Sequence, residues 1–360
     1  MSTSIYRIGD PRPRPLSDSR PDDPPIVAAL RYGVTAPSAH NTQPWRIVIV
    51  SDVDAHLFFD PARMLPETDP LGRQVHIRHG TLIEMTASAA TSLGYRSEVT
   101  ILPDGEMSIP EFGTRPTATI RLVTEPGLEP DPLFSQILDR RSSRLAHLGP
   151  QLTDQERADI KHDAHISGVE VGWIPAEQRA PVLDIAIRAM TVEVEDYDLY
   201  DETRIWFRFS ERAIAEKRDG FHADTSGLSG LALALGRRFL NDGNWHKAYN
   251  RAPYLKGFRQ QVNATTDLLT LTTETNTMRD WITTGRAYVR AQLSAGSLGL
   301  RFQPMSQVLQ EFPQMDQLRT EMEQLVGVAP PAKLQMLVRV GRTKQPALSP
   351  RRDLRELIQQ

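Results

Sequence analysis

GTLIEMTASAATSLGYR at residues 80–96 can be laid without a gap over GRAYVRAQLSAGSLGLR at residues 285–301. Gly80 falls on Gly285, Ala90 on Ala295, Ser92-Leu93-Gly94 on Ser297-Leu298-Gly299, and Arg96 on Arg301. The first copy, with residues 75–79 before it, has apolar and small residues at helical spacing and reaches Gly94, a residue suited to ending a helix. A repeat of this kind predicts two related halves in one chain, and 360 residues are enough for each to bury a core.

Working outward from the first copy, PPIVAALRYGV (24–34) reads as a short helix, and RIVIV (46–50) and AHLFFD (55–60) read as neighbouring strands. EVTILP and TATIRLV follow as two more strands around a turn at Asp104-Gly105. EPGLEPDP (125–132) is the best break in the chain. A helix is expected over PLFSQILDRRSS (132–143), then several helical segments, then a strand at LQMLVRVG (334–341). The divisions expected are an extended arm over 1–24, a first half over 25–125, a second half over 130–345 and a tail over 346–360. The mixture is α+β.

Composition narrows the functions open to the chain. A hydrophobic fraction of 39% with 24% charged residues is that of a globular protein, and a net charge of −3 lacks the basic footprint of nucleic-acid binding. The absence of cysteine removes disulfides, thiolate nucleophiles and Cys-based metal or cluster sites. No apolar leader and no run near 18 apolar residues is present, so neither nucleic acid nor membrane is an expected partner and the cytoplasm is the expected location.

Three fragments carry candidate chemistry. APSAHNTQPWRIVIV (36–50) sets a polar loop, stiffened by Pro37, Pro44 and Trp45, directly before a strand. It reads either as a helix-to-strand connector capped by Ser38 and Asn41, or as a rigid clamp that presents them to a ligand. LDRRSSR (138–144) groups Arg140, Arg141 and Arg144 with Ser142, which suits a phosphate or a solvated basic face. SPRRDL adds Arg351 and Arg352, in a tail that either lies loose or folds back onto an anion. The His pairs 76/79 and 162/165 lack a third ligand and carry no metal assignment. No Walker sequence, nucleophile elbow or paired-carboxylate pattern appears.

Taken together, the three fragments resemble the nitroreductase superfamily, and in particular its Acg-like branch of fused pseudo-dimers. The resemblance implies a nitroreductase-like α+β fold (the FMN-dependent nitroreductase fold) built from two tandem degenerate halves, with one composite FMN site. It assigns Arg140, Arg141, Ser142 and Arg144 to the FMN phosphate, ribityl chain and ring edge, with Pro37, Ser38, Asn41 and Gln43 as the facing loop. Arg351 and Arg352 complete the phosphate site, so that the tail folds back on it. RFQPMSQ places Met305, Ser306 and Gln307 near the flavin edge. The first half carries the loop without the arginine segment and the second half the reverse, so the halves complement each other.

The activity implied is an FMN-dependent oxidoreductase, in which NADH or NADPH reduces the flavin and a nitroaromatic, quinone or similar small-molecule acceptor is reduced in turn. No covalent nucleophile is needed; protons would come from water or from His40, the latter a candidate by its place in the loop. The stretch 203–275 exceeds what a plain member needs, and KRDGFHADTSGLSGL (217–231) within it reads as a lid or as an ordinary helix connection. A lid would make the chain an FMN storage or sequestration protein without turnover. A chain that binds no flavin, its arginines mere surface charge, is the third reading. Fusion makes a monomer sufficient; a homodimer is compatible.

Overall fold

The computed structural model describes Leu16 and residues 19–359. The arm expected over 1–24 lies mostly outside the described residues. The first half contains α1 (Pro25–Gly33), β1 (Trp45–Ile49), β2 (Asp54–Phe59), α2 (Arg73–Thr91), β3 (Tyr95–Ile101) and β4 (Ala118–Thr124). The second half opens with α3 (Asp154–Asp163) and β5 (Glu170–Trp173). A helical stretch follows: α4 (Ala176–Glu195), α5 (Tyr197–Ile205), α6 (Glu211–Lys217), α7 (Gly230–Phe239) and α8 (Ala248–Asn263). It closes with β6 (Asp267–Thr273), α9 (Met278–Ser297), β7 (Arg301–Pro304), α10 (Asp316–Leu325) and β8 (Lys333–Gly341), and β9 (Ile358–Gln359) lies in the tail.

The sheets run β3-β4-β2-β1-β9 and β5-β6-β8-β7. Read from the strand that follows each long central helix, β3-β4-β2-β1 and β7-β8-β6-β5 have the same order, with every pair antiparallel. β9 adds to the first sheet in parallel, Ile358 beside Ile47. The tail of the second half therefore finishes the sheet of the first.

The repeat identified in the sequence falls on α2 and α9, which pack against each other. A Cβ placed on Gly80 would lie 1.9 Å from the Ile282 carbonyl oxygen, and one on Gly285 would lie 1.8 Å from that of Ile77. Ile77 and Ile282 stand three residues before the two glycines, so the helices meet through matching residues on both sides. The apolar side chains cross over as well. Ile282, Val289 and Leu293 of α9 complete the first sheet's core, while Ile77 of α2 belongs to the second sheet's core. Each such burial stabilises by about 1.5–3 kcal/mol, so neither half has a complete core alone.

The ends of the two helices are fixed differently. Thr277 and Asp280 form a reciprocal capping box at the start of α9. At α2 the carboxylate of Asp69 accepts from the backbone N–H groups of Gln74 and Val75, doing the work of a cap from a few residues upstream. Burial pushes this carboxyl up to about 6 against those hydrogen bonds. Of the 19 residues of α2, 17 are buried, among them Gln74, His76, Arg78, His79 and Glu84, so its polar groups must find partners inside the molecule. His76 contacts the Gly72 carbonyl, and His79 the Thr117 hydroxyl and the Pro44 carbonyl. Among the described residues no cluster suits a metal ion, and no helix is long and apolar enough to cross a membrane.

One expected element does not form. The stretch 132–143 holds a single 3₁₀ turn at Phe134–Gln136 in place of a helix. Beyond it Ser142 pairs with Phe302 of β7, and the Ser143 N–H donates to the Phe302 carbonyl. That edge pairing uses backbone groups a helix would need. It also lays the arginine segment along the second sheet.

Candidate functional site

The loop between α1 and β1 is strained. His40, Asn41 and Gln43 all have φ near +50°, a region side chains other than glycine seldom occupy. The surrounding structure holds it there. Ser38 Oγ accepts from the Gln43 N–H at 3.0 Å. Asn41 donates Nδ2 to the carbonyls of Gly220 and Pro350, both at 3.0 Å, and its Oδ1 accepts from Arg351 at 2.8 Å. Gln43 donates to the Arg218 carbonyl and accepts from the Arg352 N–H. The clamp thus acts inward as well: Asn41 joins the loop, the residues around 220 and the tail.

Behind this loop lies a cavity open to the centres of water molecules over ≈ 230 Å³. Ten of the thirteen residues singled out in the sequence line it: Pro37, Ser38, Asn41, Arg140, Arg141, Ser142, Arg144, Ser306, Gln307 and Arg351. The other three do not reach its wall. Gln43 is fully buried behind the loop and Met305 sits in the core beneath α4. Arg352 turns toward Glu356, with Nε 3.7 Å from its carboxylate. Sequence spacing could not separate Arg351 from Arg352, since adjacent residues in an irregular tail point in different directions.

The wall is strongly cationic. Arg140 donates to the Thr35 carbonyl at 2.8 Å and to Gln292, and Arg351 donates to the same Thr35 carbonyl at 2.9 Å. Arg141 donates to the Pro346 carbonyl and Arg144 to that of Thr225, each group meeting a neutral oxygen. Burial pulls Arg140 down to about 10 and lowers Arg144 and Arg78 as well. Among the described residues Arg140 Nε, Arg141 Nε, Arg78 Nη1, Gln74 Nε2 and His40 Nδ1 have no hydrogen-bond partner. Buried guanidinium groups with free donors are costly unless an anion meets them. The donor set therefore suits a ligand with an anionic group and many acceptors.

Part of this wall was not visible as a site in the sequence. Gln74, Ile77, Arg78 and Thr81 line it from α2 at spacings of three and four residues, one helix face. No local signal in the sequence marks them, since their burial shows only in the folded helix. Tyr254 and Phe258 of α8, within the stretch 203–275, and Met190 and Glu193 of α4, just before it, close the far side.

The lid candidate 217–231 covers the cavity with Phe221, Thr225, Ser226 and Leu228. It is tied down at several points. Gly220 exchanges two bonds with Asn41, N–H to carbonyl and carbonyl to Nδ2. Asp219, nearly fully buried, pairs with Arg63 at 2.8 Å and Arg208 at 2.6 Å. Arg144 lies 5.7 Å over the Phe221 ring, and His40 stacks on that ring at 5.3 Å. Burial, with Arg144 and Arg78 nearby, takes His40 down to about 3. It is therefore neutral at physiological pH and holds no spare proton, which argues against the donor role its position suggested.

Comparison with known proteins follows this geometry. The chain is 27% identical over 354 residues to the protein named "Putative NAD(P)H nitroreductase Rv3131" of Mycobacterium tuberculosis, covering 96% of this chain and 94% of the relative. It is 26% identical over 340 residues to "Putative NAD(P)H nitroreductase acg" of the same organism, covering 92% and 95%. The resemblance to the nitroreductase superfamily, Acg included, thus extends along nearly the whole chain. Among solved structures, the FMN- and NADPH-dependent nitroreductase NfnB of Sphigopyxis sp. strain HMH aligns at 14% identity and a TM-score of 0.44, over 63% of this chain and 98% of that one. A nitroreductase with bound FMN from Bacteroides fragilis aligns at 14% identity and a TM-score of 0.34, over 61% and 91%. No family model matches the chain.

Proposed function

We propose that the chain is an FMN-binding oxidoreductase of nitroreductase type, a fused pseudo-dimer with its flavin in the cavity between loop, tail and arginine segment. The observation that carries this reading is the set of buried donors without partners, Arg78 Nη1, Arg140 Nε and Arg141 Nε, on one wall. The residues present fit the cofactor. Arg140, Arg141, Arg144 and Arg351 would hold the phosphate and ribityl oxygens, Ser142 would fill a remaining direction, and Pro37, Ser38, Ser306 and Gln307 would border the ring. When bound, FMN supplies hydride transfer between NAD(P)H and an acceptor, a nitroaromatic or a quinone. The protein's own work is to fix the cofactor, shield it from water with Phe221 and Leu228, and keep His40 neutral beside it. The matched strand orders and the reciprocal Gly80–Gly285 contact support the pseudo-dimer.

The pinned lid favours a second reading, flavin storage without turnover, since the residues over the cavity are anchored through Asp219, Gly220 and Asn41. One titration separates the two. The purified protein, supplied with FMN, should show flavin absorbance that bleaches on anaerobic addition of NADH or NADPH. Bands that persist with both nucleotides yet bleach with dithionite support storage. A protein that takes up no FMN overturns both readings.

A further inference from the structure

Glu193 is the only carboxyl group on the cavity wall among the described residues. It is 4% exposed and occupies the last turn of the 20-residue α4, where the helix dipole opposes a negative charge. Its carboxylate accepts from Gln310 Nε2 at 2.9 Å, with the Gln307 amide also beside it. Arg144 acts on it only through space, its own Nη1 being bonded to the Thr225 carbonyl. An acid buried this way, at the wrong end of a helix and with amides for company, destabilises the fold when ionised. Glu193 has no helix N-terminus to cap, whereas Asp69, the comparably buried acid of α2, caps one.

Building on the function proposed above, we propose that Glu193 is a catalytic acid that protonates the acceptor as it is reduced in the cavity. The acceptor class is one reduced at oxygen, a quinone or a nitro group. A quinone takes a hydride from the reduced flavin and a proton from the Glu193 carboxyl and leaves as the hydroquinone. A nitro compound takes the same pair and leaves as the nitroso compound and water. In either case the flavin is oxidised by two electrons and Glu193 is left as carboxylate, with the Gln310 N–H and the nearby Arg144 charge to stabilise it. NAD(P)H and a solvent proton restore the starting state. Glu193 would supply the acceptor's proton from within the cavity wall, where His40, held neutral by burial, has none to spare.

The protonation of Glu193 agrees with this role. Burial pushes the carboxyl up to about 7, Glu202 adds to the rise, and the Gln310 bond and Arg144 oppose it. The other titratable groups around it are Tyr254 and Tyr200, both held neutral by burial, Tyr254 at about 12. Glu202 is itself raised by burial and accepts from Thr68 and the Glu67 N–H, so it needs its own control.

The test uses FMN-loaded protein and its Glu193→Gln, Glu193→Asp and Glu202→Gln variants. Two readouts are taken: infrared difference spectra between acid and alkaline pH, and the rate at which menadione reoxidises dithionite-reduced flavin, followed against pH. A protonated-carboxyl carbonyl band should titrate near neutrality in the wild type and vanish in E193Q but not in E202Q. Reoxidation should fall above neutral pH in the wild type, be slower in E193Q by roughly 10²-fold with a flat profile, and recover partly in E193D. An E193Q protein that binds flavin and reoxidises with the wild-type rate and profile overturns the inference while leaving the proposed function standing. A wild-type chain that takes up no flavin overturns both.

Discussion

The Asn41 side chain, the Arg351 guanidinium and the Thr35 carbonyl form a knot of neutral and cationic groups that hold one another at the cavity wall. Asn41→Ala removes two donated bonds and an acceptor for Arg351, three interactions at a buried position. At about 1 kcal/mol each, the unfolding free energy should drop by roughly 2–3 kcal/mol. A urea titration checks this, and a loss under 0.5 kcal/mol would show that the knot is not structural. Arg140→Ala with Arg141→Ala should instead act on the cofactor, since both present donors without partners to the cavity. Each charge-assisted bond is worth about 1.5–3 kcal/mol, so flavin affinity should fall by at least two orders of magnitude; undiminished occupancy after gel filtration would show that the arginines are misassigned. The buried histidines give the fold a pH dependence of definite sign. Burial holds His40, His79 and His147 down near 3 and His76 near 4, below the unfolded value of about 6.5. Below that value the unfolded chain binds more protons than the folded one, so stability present above about pH 6.5 is lost as the pH falls toward 4. Asp69 and Glu193, raised to about 6 and about 7, and Glu202, also raised by burial, work in the opposite direction above pH 4, but they are fewer than the lowered imidazoles, to which His222 adds a fifth. The melting temperature should therefore fall between pH 7 and pH 5; a flat or rising profile would contradict the burial of these imidazoles.

At the scale of elements, the α2–α9 contact depends on the lack of two side chains. Gly285→Ala or Gly80→Ala would place a Cβ less than 2 Å from a carbonyl oxygen of the facing helix, and backbone cannot rotate away as a side chain can. Each should destabilise by at least about 3 kcal/mol, the upper end for overpacking. Gly296, on the same helix α9, is the internal control: its added Cβ would meet only Gln136 Oε1 at 3.6 Å. Gly296→Ala should be neutral or stabilising by up to about 1 kcal/mol through helix propensity. Thermal melts that ranked G296A with G285A would deny the close approach. The pair was legible in the sequence because Gly80 and Gly285 align within the repeat, and strands such as 46–50 and 334–341 were legible because β-branched runs between turn residues have few other uses. The segment 132–143 was misread because its residues favour a helix locally, whereas pairing with Phe302, some 160 residues away, decides its conformation. The cavity face of α2 stayed hidden for a related reason. Gln74, Arg78 and Thr81 share a face only once the helix phase is known, and nothing local distinguishes them from a solvated stripe. Glu193 lay in an acid-rich stretch, VEVEDYDLYDE, that reads as solvent-exposed charge.

At the scale of the whole molecule, residues 217–231 bear on which of the two proposed functions the cavity performs. The buried anchor of this segment, Asp219, sits between Arg63 and Arg208, and removing one partner of such a pair leaves charges that water must reach. Asp219→Ala should loosen residues 217–231 and speed flavin loss on dilution by roughly tenfold, read from the recovery of free-flavin fluorescence. An unchanged release rate would show that the lid does not gate the site. The same variant discriminates between turnover and storage, since a storage protein made reducible by D219A would identify the anchor as what excludes the nucleotide.

The contact between Asn41 and Pro350 spans 309 residues of chain. During synthesis the loop, the first sheet and α2 leave the ribosome long before Arg351 and β9 exist, and the cavity acquires its last wall only when they arrive. Nascent chains whose first 345 residues have cleared the exit tunnel would have the strands of both four-stranded sheets and the central helix pair, but Thr35, Asn41 and the free edge of β1 would still lack their partners from the tail. If the cavity holds flavin as proposed, its capture should await these last residues. Flavin retained on arrested chains should appear only after residues 351–359 have cleared the exit tunnel, and a yellow chain with only its first 345 residues cleared would show that capture does not wait for them.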